Sequence, residues 1–283
     1  MTALPLSARR IEKPWGRRTL GEGFDPVPSG SPPVGEIVFE SPNGAADELL
    51  LKYLFTSEKL SIQVHPDDSA ARARGMARGK DEAWLVLDAE ADSTLGLGLS
   101  EPAAPEALRA AALDGSLEAL VDWRPVRAGD CIYSPAGTIH AIGAGVSLVE
   151  VQQSTDVTYR LYDYGRPREL HLDEALAVAR PQARPAAQPP LDLGDGRIRL
   201  AAGPAFQMER LDGACEGRLS APAGTAIWLL PLGGPAELDG RPMPLGSAWL
   251  VPDSAKVRLG GEAQILLAYP GGVTLPVWQA GPS

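Results

Sequence analysis

The run Gly129-Asp-Cys-Ile-Tyr-Ser-Pro135-Ala-Gly137-Thr-Ile-His140 decides the fold. Its pattern is G-x5-P-x-G-x2-H: a glycine turn, a short β run, a Pro/Gly corner, then an imidazole. Proline cannot continue a hydrogen-bond ladder and glycine tolerates a corner's backbone, so the strand ends abruptly. His140 is presented just past the bend. The chain has only three histidines. A second closes another short β run, Leu60-Ser-Ile-Gln63-Val-His65-Pro. Two rare imidazoles at two strand ends point to a metal.

Composition fits that reading. The 31 glycines and 27 prolines are spread along the chain, which favours short strands joined by tight turns over a helical bundle. At 283 residues the chain makes one large or two medium domains. A net charge of −10 argues against nucleic acid, because a phosphate backbone demands a basic face. An anionic small substrate would instead need a local cluster of Lys and Arg. Cys131 and Cys215 fit neither a metal spacing nor a disulfide framework, and suit a reducing cytosol. The N-terminal residues lack the apolar core of a signal peptide, and no apolar run approaches bilayer length. A cytoplasmic protein with no membrane or nucleic-acid partner is expected.

Period-two patterning places the histidines. In Leu60–His65, Ser61, Gln63 and His65 share one face while Leu60, Ile62 and Val64 share the other. The polar face is suited to line a cavity and the apolar face to pack outward against another layer. Further strands are predicted over 35–40, 48–55, 82–87, 131–134 and 147–152. In the third of these, Lys80, Glu82 and Trp84 lie on one face. A short helix is predicted over 68–77, with Asp67 or Asp68 as its cap, and another from Leu170, with Asp173 as a possible cap. Alanine- and leucine-rich stretches within 101–122 predict two short helices inserted between strands.

Residues 1–180 are therefore expected to form a metal-binding domain, 181–192 a proline-rich linker, and 193–283 a β domain. Gly246–Val257 echoes Gly129–His140: glycine and proline coincide, but Val257 stands where His140 does. The second domain is expected to be a related fold that carries no metal.

The candidate metal ligands are Gln63, His65, Glu82 and His140. Two imidazole nitrogens with carboxylate and amide oxygens suit Zn²⁺, or Mn²⁺, Fe²⁺ or Co²⁺. The bland alternative for a strand-end histidine is a hydrogen-bonded structural residue. Two of them beside a carboxylate on a neighbouring strand favour ligands. His171 has no such company and is assigned to packing or helix-end hydrogen bonding.

The G-x5-P-x-G-x2-H run resembles the second motif of the cupin superfamily, and Gln63-Val-His65 resembles its first with glutamine in place of one histidine. More narrowly, Leu60–Asp67, Gly79-Lys-Asp-Glu-Ala-Trp84, Ser134–Gly143 and Glu150–Tyr164 together resemble the type I mannose-6-phosphate isomerases in their short bacterial form. The resemblance covers roughly residues 12–180. It implies a mainly β, jelly-roll cupin barrel and one Zn²⁺ per chain on Gln63, His65, Glu82 and His140. It also implies a monomer or homodimer interconverting mannose 6-phosphate and fructose 6-phosphate through a cis-enediol(ate). By the same resemblance Arg160 is the catalytic arginine, Lys80 and Glu150 are catalytic polar groups of the pocket, and Ser61, Lys52 and Trp15 contact the substrate or its phosphate. Each residue keeps a plainer alternative: Lys80 paired with Asp81 or another acid on the surface, Arg160 stacked among Tyr159, Tyr162 and Tyr164, Glu150 in a buried ion pair, Trp15 packing the N-terminal segment. Two other functions stay open: a non-catalytic sugar-phosphate-binding cupin and an Fe²⁺-dependent cupin oxygenase. Family members often carry a tryptophan soon after the N-terminal Gly-Glu, whereas Ile37-Val38-Phe39 follows Gly35-Glu36 here.

Overall fold

The computed structural model describes residues 2–41, 48–180 and 188–281. The described strands form four antiparallel sheets, arranged as two barrels of two sheets each. One sheet of the first barrel runs Ser7–Arg17, Val34–Glu40, Leu49–Phe55, Val146–Gln153, Glu82–Ala89, Cys131–Ser134. Its other sheet runs Tyr159–Tyr162, Ile62–Val64, His140–Ile142, Thr94–Leu99, Val121–Pro125. The protein is thus mainly β, as its glycine and proline content predicts.

Strand alternation in the first sheet builds two environments at once. In Leu49–Phe55, Leu49, Leu51, Tyr53 and Phe55 face the second barrel. Lys52 and Leu54 point the opposite way and line the interior cavity of the first. Val149 and Val151 likewise face the second barrel, while Glu150 faces the cavity. The larger sheet of the second barrel answers with Leu200, Phe206, Met208, Trp228, Leu230 and Leu266, so the two large sheets share one apolar core. Burial of such side chains stabilises each by about 1.5–3 kcal/mol, before entropy is counted. On the other sheet, Ile62 and Val64 pack outward against Leu108 and Ala111 of the helix Pro105–Asp114 and Ala175 of the helix Leu172–Val178. Ile62 and Val64 therefore meet a helical layer, and Ser61 and Gln63 are left to the cavity; Leu60, expected on the outward face, lines the cavity as well.

The helix predicted over 68–77 ends at Arg72, because the chain turns at Gly75 through a positive φ of 78°. Asp67 caps it, accepting from the Ala70 amide. Asp173 is not a cap: it lies in the first turn of Leu172–Val178, ion-paired with Arg109, and His171 holds the cap position. Most of the expected linker, residues 181–187, lies outside the described residues; its last two residues already belong to the strand Leu191–Gly194. Another strand crosses the expected division. Leu4–Pro5 pairs with Trp249–Val251 in the large sheet of the second barrel.

The second barrel has a buried charge of its own. Glu209 accepts two bonds from Arg197, at 2.8 and 2.9 Å, and one from the Tyr269 hydroxyl at 2.5 Å. Removing one partner of a buried pair leaves the other charge uncompensated. Glu209→Ala is expected to cost about 3–5 kcal/mol, read as a fall in the urea midpoint. Val257 is fully buried in this barrel's own apolar core, among neighbours such as Leu219 and Leu229. No described helix is long and apolar enough to cross a membrane.

Candidate metal centre and active site

The corner foreseen in the sequence is built by backbone hydrogen bonds. Gly137, at φ 86°, donates its amide to the His65 carbonyl at 2.8 Å, tying the two histidine segments together. Beyond the corner, His140 pairs in register with Gln63. Glu82 opens the strand Glu82–Ala89 on the facing sheet, opposite Ser134. His65, Glu82 and His140 converge, each about 1% exposed, with candidate ligand atoms all within 4.8 Å of one another.

Their hydrogen bonding decides what the cluster can hold. His65 donates from Nδ1 to the Val157 carbonyl at 2.8 Å, and His140 from Nδ1 to the Thr138 carbonyl at 2.9 Å. A carbonyl only accepts, so the proton of each neutral imidazole sits on Nδ1 and the lone pair on Nε2. Both Nε2 atoms then face Glu82, at 3.3 Å from Oε1 and Oε2 respectively. Burial, reinforced by Lys80, pushes the His65 imidazolium down to about 3, so this ring is neutral. The His65 lone pair therefore faces a carboxylate with no proton between them. Among the described residues, His65 Nε2 and both Glu82 oxygens have no hydrogen-bond partner. Lys80 Nζ does approach Glu82 Oε1 at 2.6 Å, but off the hydrogen-bonding directions, as an ion pair. A divalent cation among these atoms would satisfy all of them, and the donor set suits one.

Gln63 completes the set by position. Its Nε2 is 3.3 Å from His140 Nε2, and its Oε1 accepts from the Ser61 hydroxyl at 3.2 Å. Turning the amide over brings Oε1 towards His140 Nε2 and lets the amide NH₂ donate to Ser61, with no other change.

Electrostatics separates the charged groups around the cluster. Burial, the largest single influence, would raise the Glu82 carboxyl, but Lys80, then His65 and His140, together outweigh it and hold the group well below the usual carboxylate range. Glu150 goes the other way: burial, then Glu82, pushes its carboxyl up despite Lys52 and Lys80. Lys52 Nζ lies 3.4 Å from Glu150 Oε1, and the Trp84 indole donates to Glu150 Oε2 at 3.1 Å. Burial works against the Lys52 ammonium, yet the surrounding carboxylates, Glu150 foremost, prevail and raise it. Lys80 pairs with Glu82 and not with Asp81, because residues one apart point to opposite faces of the strand.

A cavity of about 730 Å³ opens beside the cluster, lined among others by Trp15, Lys52, Ser61, Gln63, Glu150 and Arg160. Among the described residues Arg160 has no carboxylate within ion-pair distance, and its Nε is buried without a partner. Burial, then Arg168, lowers its pKa from a very basic starting value, so it remains a cation. The tyrosines do not stack on it; Tyr162 and Tyr164 pack edge to face on each other. Trp15 Nε1 is another buried donor without a partner. His171 braces Arg160 from behind: its amide donates to the Arg160 carbonyl at 2.8 Å, and its Nδ1 accepts from the Arg160 amide at 3.3 Å. The sequence signals only a helix-end histidine there, and the pairing across the turn had no local signature.

The structure therefore lines one cavity with Gln63, Lys80, Glu150, Lys52, Ser61, Trp15 and Arg160, and sets His65, Glu82 and His140 behind Gln63 and Lys80. Fold and site together define a cupin-type double barrel with a buried His/Glu/His centre in one barrel.

Known proteins narrow this class. No protein-family model matches the chain. Over 147 residues, 50% of this chain and 46% of the relative, it is 38% identical to "Mannose-6-phosphate isomerase" of Streptococcus mutans. Over 137 residues, 46% of this chain and 43% of the relative, it is 39% identical to "Mannose-6-phosphate isomerase ManA" of Bacillus subtilis. The chain spans about half the length of the curated relatives it matches. The crystal structure of the mannose 6-phosphate isomerase from Bacillus subtilis superposes with a TM-score of 0.80 at 22% identity, covering 95% of this chain and 99% of that one. About half of the sequence is thus related to mannose-6-phosphate isomerases, and the whole chain has their fold.

Proposed function

We propose that this protein is a metal-dependent aldose–ketose isomerase that interconverts mannose 6-phosphate and fructose 6-phosphate. The observation that carries the reading is the buried His65–Glu82–His140 cluster, with unpartnered ligand atoms, beside a cation that has no carboxylate of its own. His65, Glu82, His140 and Gln63 would hold the metal, with Zn²⁺ the best match to the donor set. Bound there, it would supply a Lewis acid for the sugar's oxygens.

The remaining work falls to the chain's own groups. The reaction moves one proton between C2 and C1 of the open-chain sugar, through a cis-enediol(ate). Glu150 is the proton carrier in this reading. Its raised pKa brings it nearer the working pH of a general base, and Lys52 keeps an ammonium at hand whichever form the carboxyl takes. Lys80 is held by Glu82 and serves to balance its charge. Arg160 offers fixed positive charge to the enediolate oxygen or the phosphate, with no internal ion pair to break first. Lys52, Ser61 and Trp15 complete the substrate contacts, and the Trp15 indole is a donor in need of an acceptor. The relatives and the solved neighbour support this reading by their names and fold.

The test is direct. Purified protein supplied with Zn²⁺ is expected to convert mannose 6-phosphate to fructose 6-phosphate in a coupled assay, and EDTA to abolish it until metal is restored. A folded, metal-loaded protein that turns over neither sugar phosphate with Zn²⁺, Mn²⁺, Co²⁺ or Fe²⁺ would refute the reading.

A further inference from the structure

The second barrel contributes no ligand to the metal centre, yet one side chain joins the two. Tyr133 lies on the strand Cys131–Ser134, between Ile132, which pairs with Trp84, and Ser134, which pairs with Glu82. Strand alternation turns Tyr133 out of the first barrel and into the core between the barrels, where its ring centroid is 5.2 Å from that of Phe206. The tip of a hairpin from the second barrel, Gly203-Pro-Ala205, closes over it. A β-carbon at Gly203 would overlap the phenol ring, so only glycine admits this approach. Burial, then Asp81, pushes the Tyr133 phenol up and keeps its proton on, and the Ala205 amide lies beside the phenol oxygen.

The hydroxyl of Tyr133 faces back towards the metal strand. It donates to Asp81 Oδ2 at 2.5 Å, and Asp81 Oδ1 accepts from the Ala136 amide at 2.8 Å. Asp81 is buried and immediately precedes Glu82. Ala136 sits in the Pro135–Gly137 corner that leads to His140, and the next amide, of Gly137, bonds the His65 carbonyl. A single carboxylate thus bonds the corner that leads to His140, sits one residue before Glu82, and reaches the His65 backbone through the neighbouring Gly137 amide. Its second oxygen is oriented by a phenol that the other barrel holds in place.

We propose that the second barrel sets the geometry of the metal centre through this relay, with Tyr133 and Asp81 as positioning residues. The inference rests on the reading of His65, Glu82 and His140 as metal ligands. Support from outside the ligand shell ordinarily changes metal affinity by about 10–100-fold. The relay acts two steps from the ligands, so the lower figure is expected.

Tyr133→Phe tests it, because the ring keeps its packing and only the O–H is lost. Metal dissociation constants would be measured by competition with a chromophoric chelator, beside the visible spectrum of the Co²⁺-loaded protein and kcat and KM. The expected result is about tenfold weaker metal binding, an altered Co²⁺ spectrum, and a fall in kcat larger than any change in KM. Gly203→Ala, which forces the ring to move, is expected to shift affinity and spectrum in the same way. Val257→Ala, deep in the second barrel's own core, is the control for stability alone. It should lower the unfolding midpoint and leave affinity and spectrum unchanged. Wild-type affinity and spectrum in Tyr133→Phe would overturn the proposal, as would an equal loss in Val257→Ala. A wild-type protein that binds no metal would overturn the ligand assignment itself.

Discussion

Glu82→Gln is expected to yield a folded protein that retains no divalent metal after dialysis and shows turnover at background. The glutamine keeps the side chain's length and leaves an oxygen for Lys80, so the buried ammonium still has an acceptor. It removes the one anionic ligand, which lies 3.3 Å from both imidazole nitrogens. Two histidines and an amide, with no anionic ligand, are a weak set for a dication. Loss of the Lewis acid forfeits several kcal/mol of transition-state stabilisation, at least about three powers of ten in rate. Metal content by atomic emission, activity with Zn²⁺ restored and the circular-dichroism spectrum would check the three parts. Undiminished metal content in this variant would remove Glu82 from the ligand set.

Arg160→Ala is the second large effect, and it differs in kind. Arg160 meets the candidate ligands only through its backbone, which pairs with Gln63; among the described residues its side chain has no carboxylate partner, so its removal leaves no buried carboxylate behind. Metal content and unfolding midpoint are expected to stay near wild type while kcat/KM falls by about 10²–10³, the usual cost of losing one oriented donor to developing negative charge. Arg160→Lys should recover only part of this, since an ammonium lacks the planar fork of a guanidinium. Loss of metal or of fold in Arg160→Ala would make the residue structural, a support for the Tyr159–Tyr162 strand instead of a group that meets the substrate.

Much of the site was readable because its chemistry lies in residues the chain uses sparingly, at strand ends marked by proline and glycine. His65 and His140 stand out for that reason, and Glu82 follows from the pleat that puts Lys80, Glu82 and Trp84 on one face. Asp81 shows where such reading stops. It lies beside Lys80 and looks like its partner. The same pleat sends it to the opposite face, to Tyr133 and the Ala136 amide, contacts 52 and 55 residues away in sequence. The stacking of the two large sheets was equally hidden. Leu-Leu-Leu-Lys-Tyr-Leu-Phe over 49–55 is apolar on both faces but for Lys52, so the pattern announces burial without saying which layer covers which face. The helix ending at Arg72 shows a local signal, Gly75, that outweighed a favourable run of alanine and arginine.

The small strand Leu4–Pro5 has a consequence for how the chain is made. Leu4 pairs with Leu250 and Pro5 with Trp249, so its partners leave the ribosome about 245 residues later. At about 5–20 residues per second, the interval is on the order of 10–50 seconds, long compared with the formation of any hairpin in between. The first barrel can close on its ligands during that time. Its leading edge stays unpaired until the second barrel forms, and the finished protein is then latched, early chain to late chain, across both barrels.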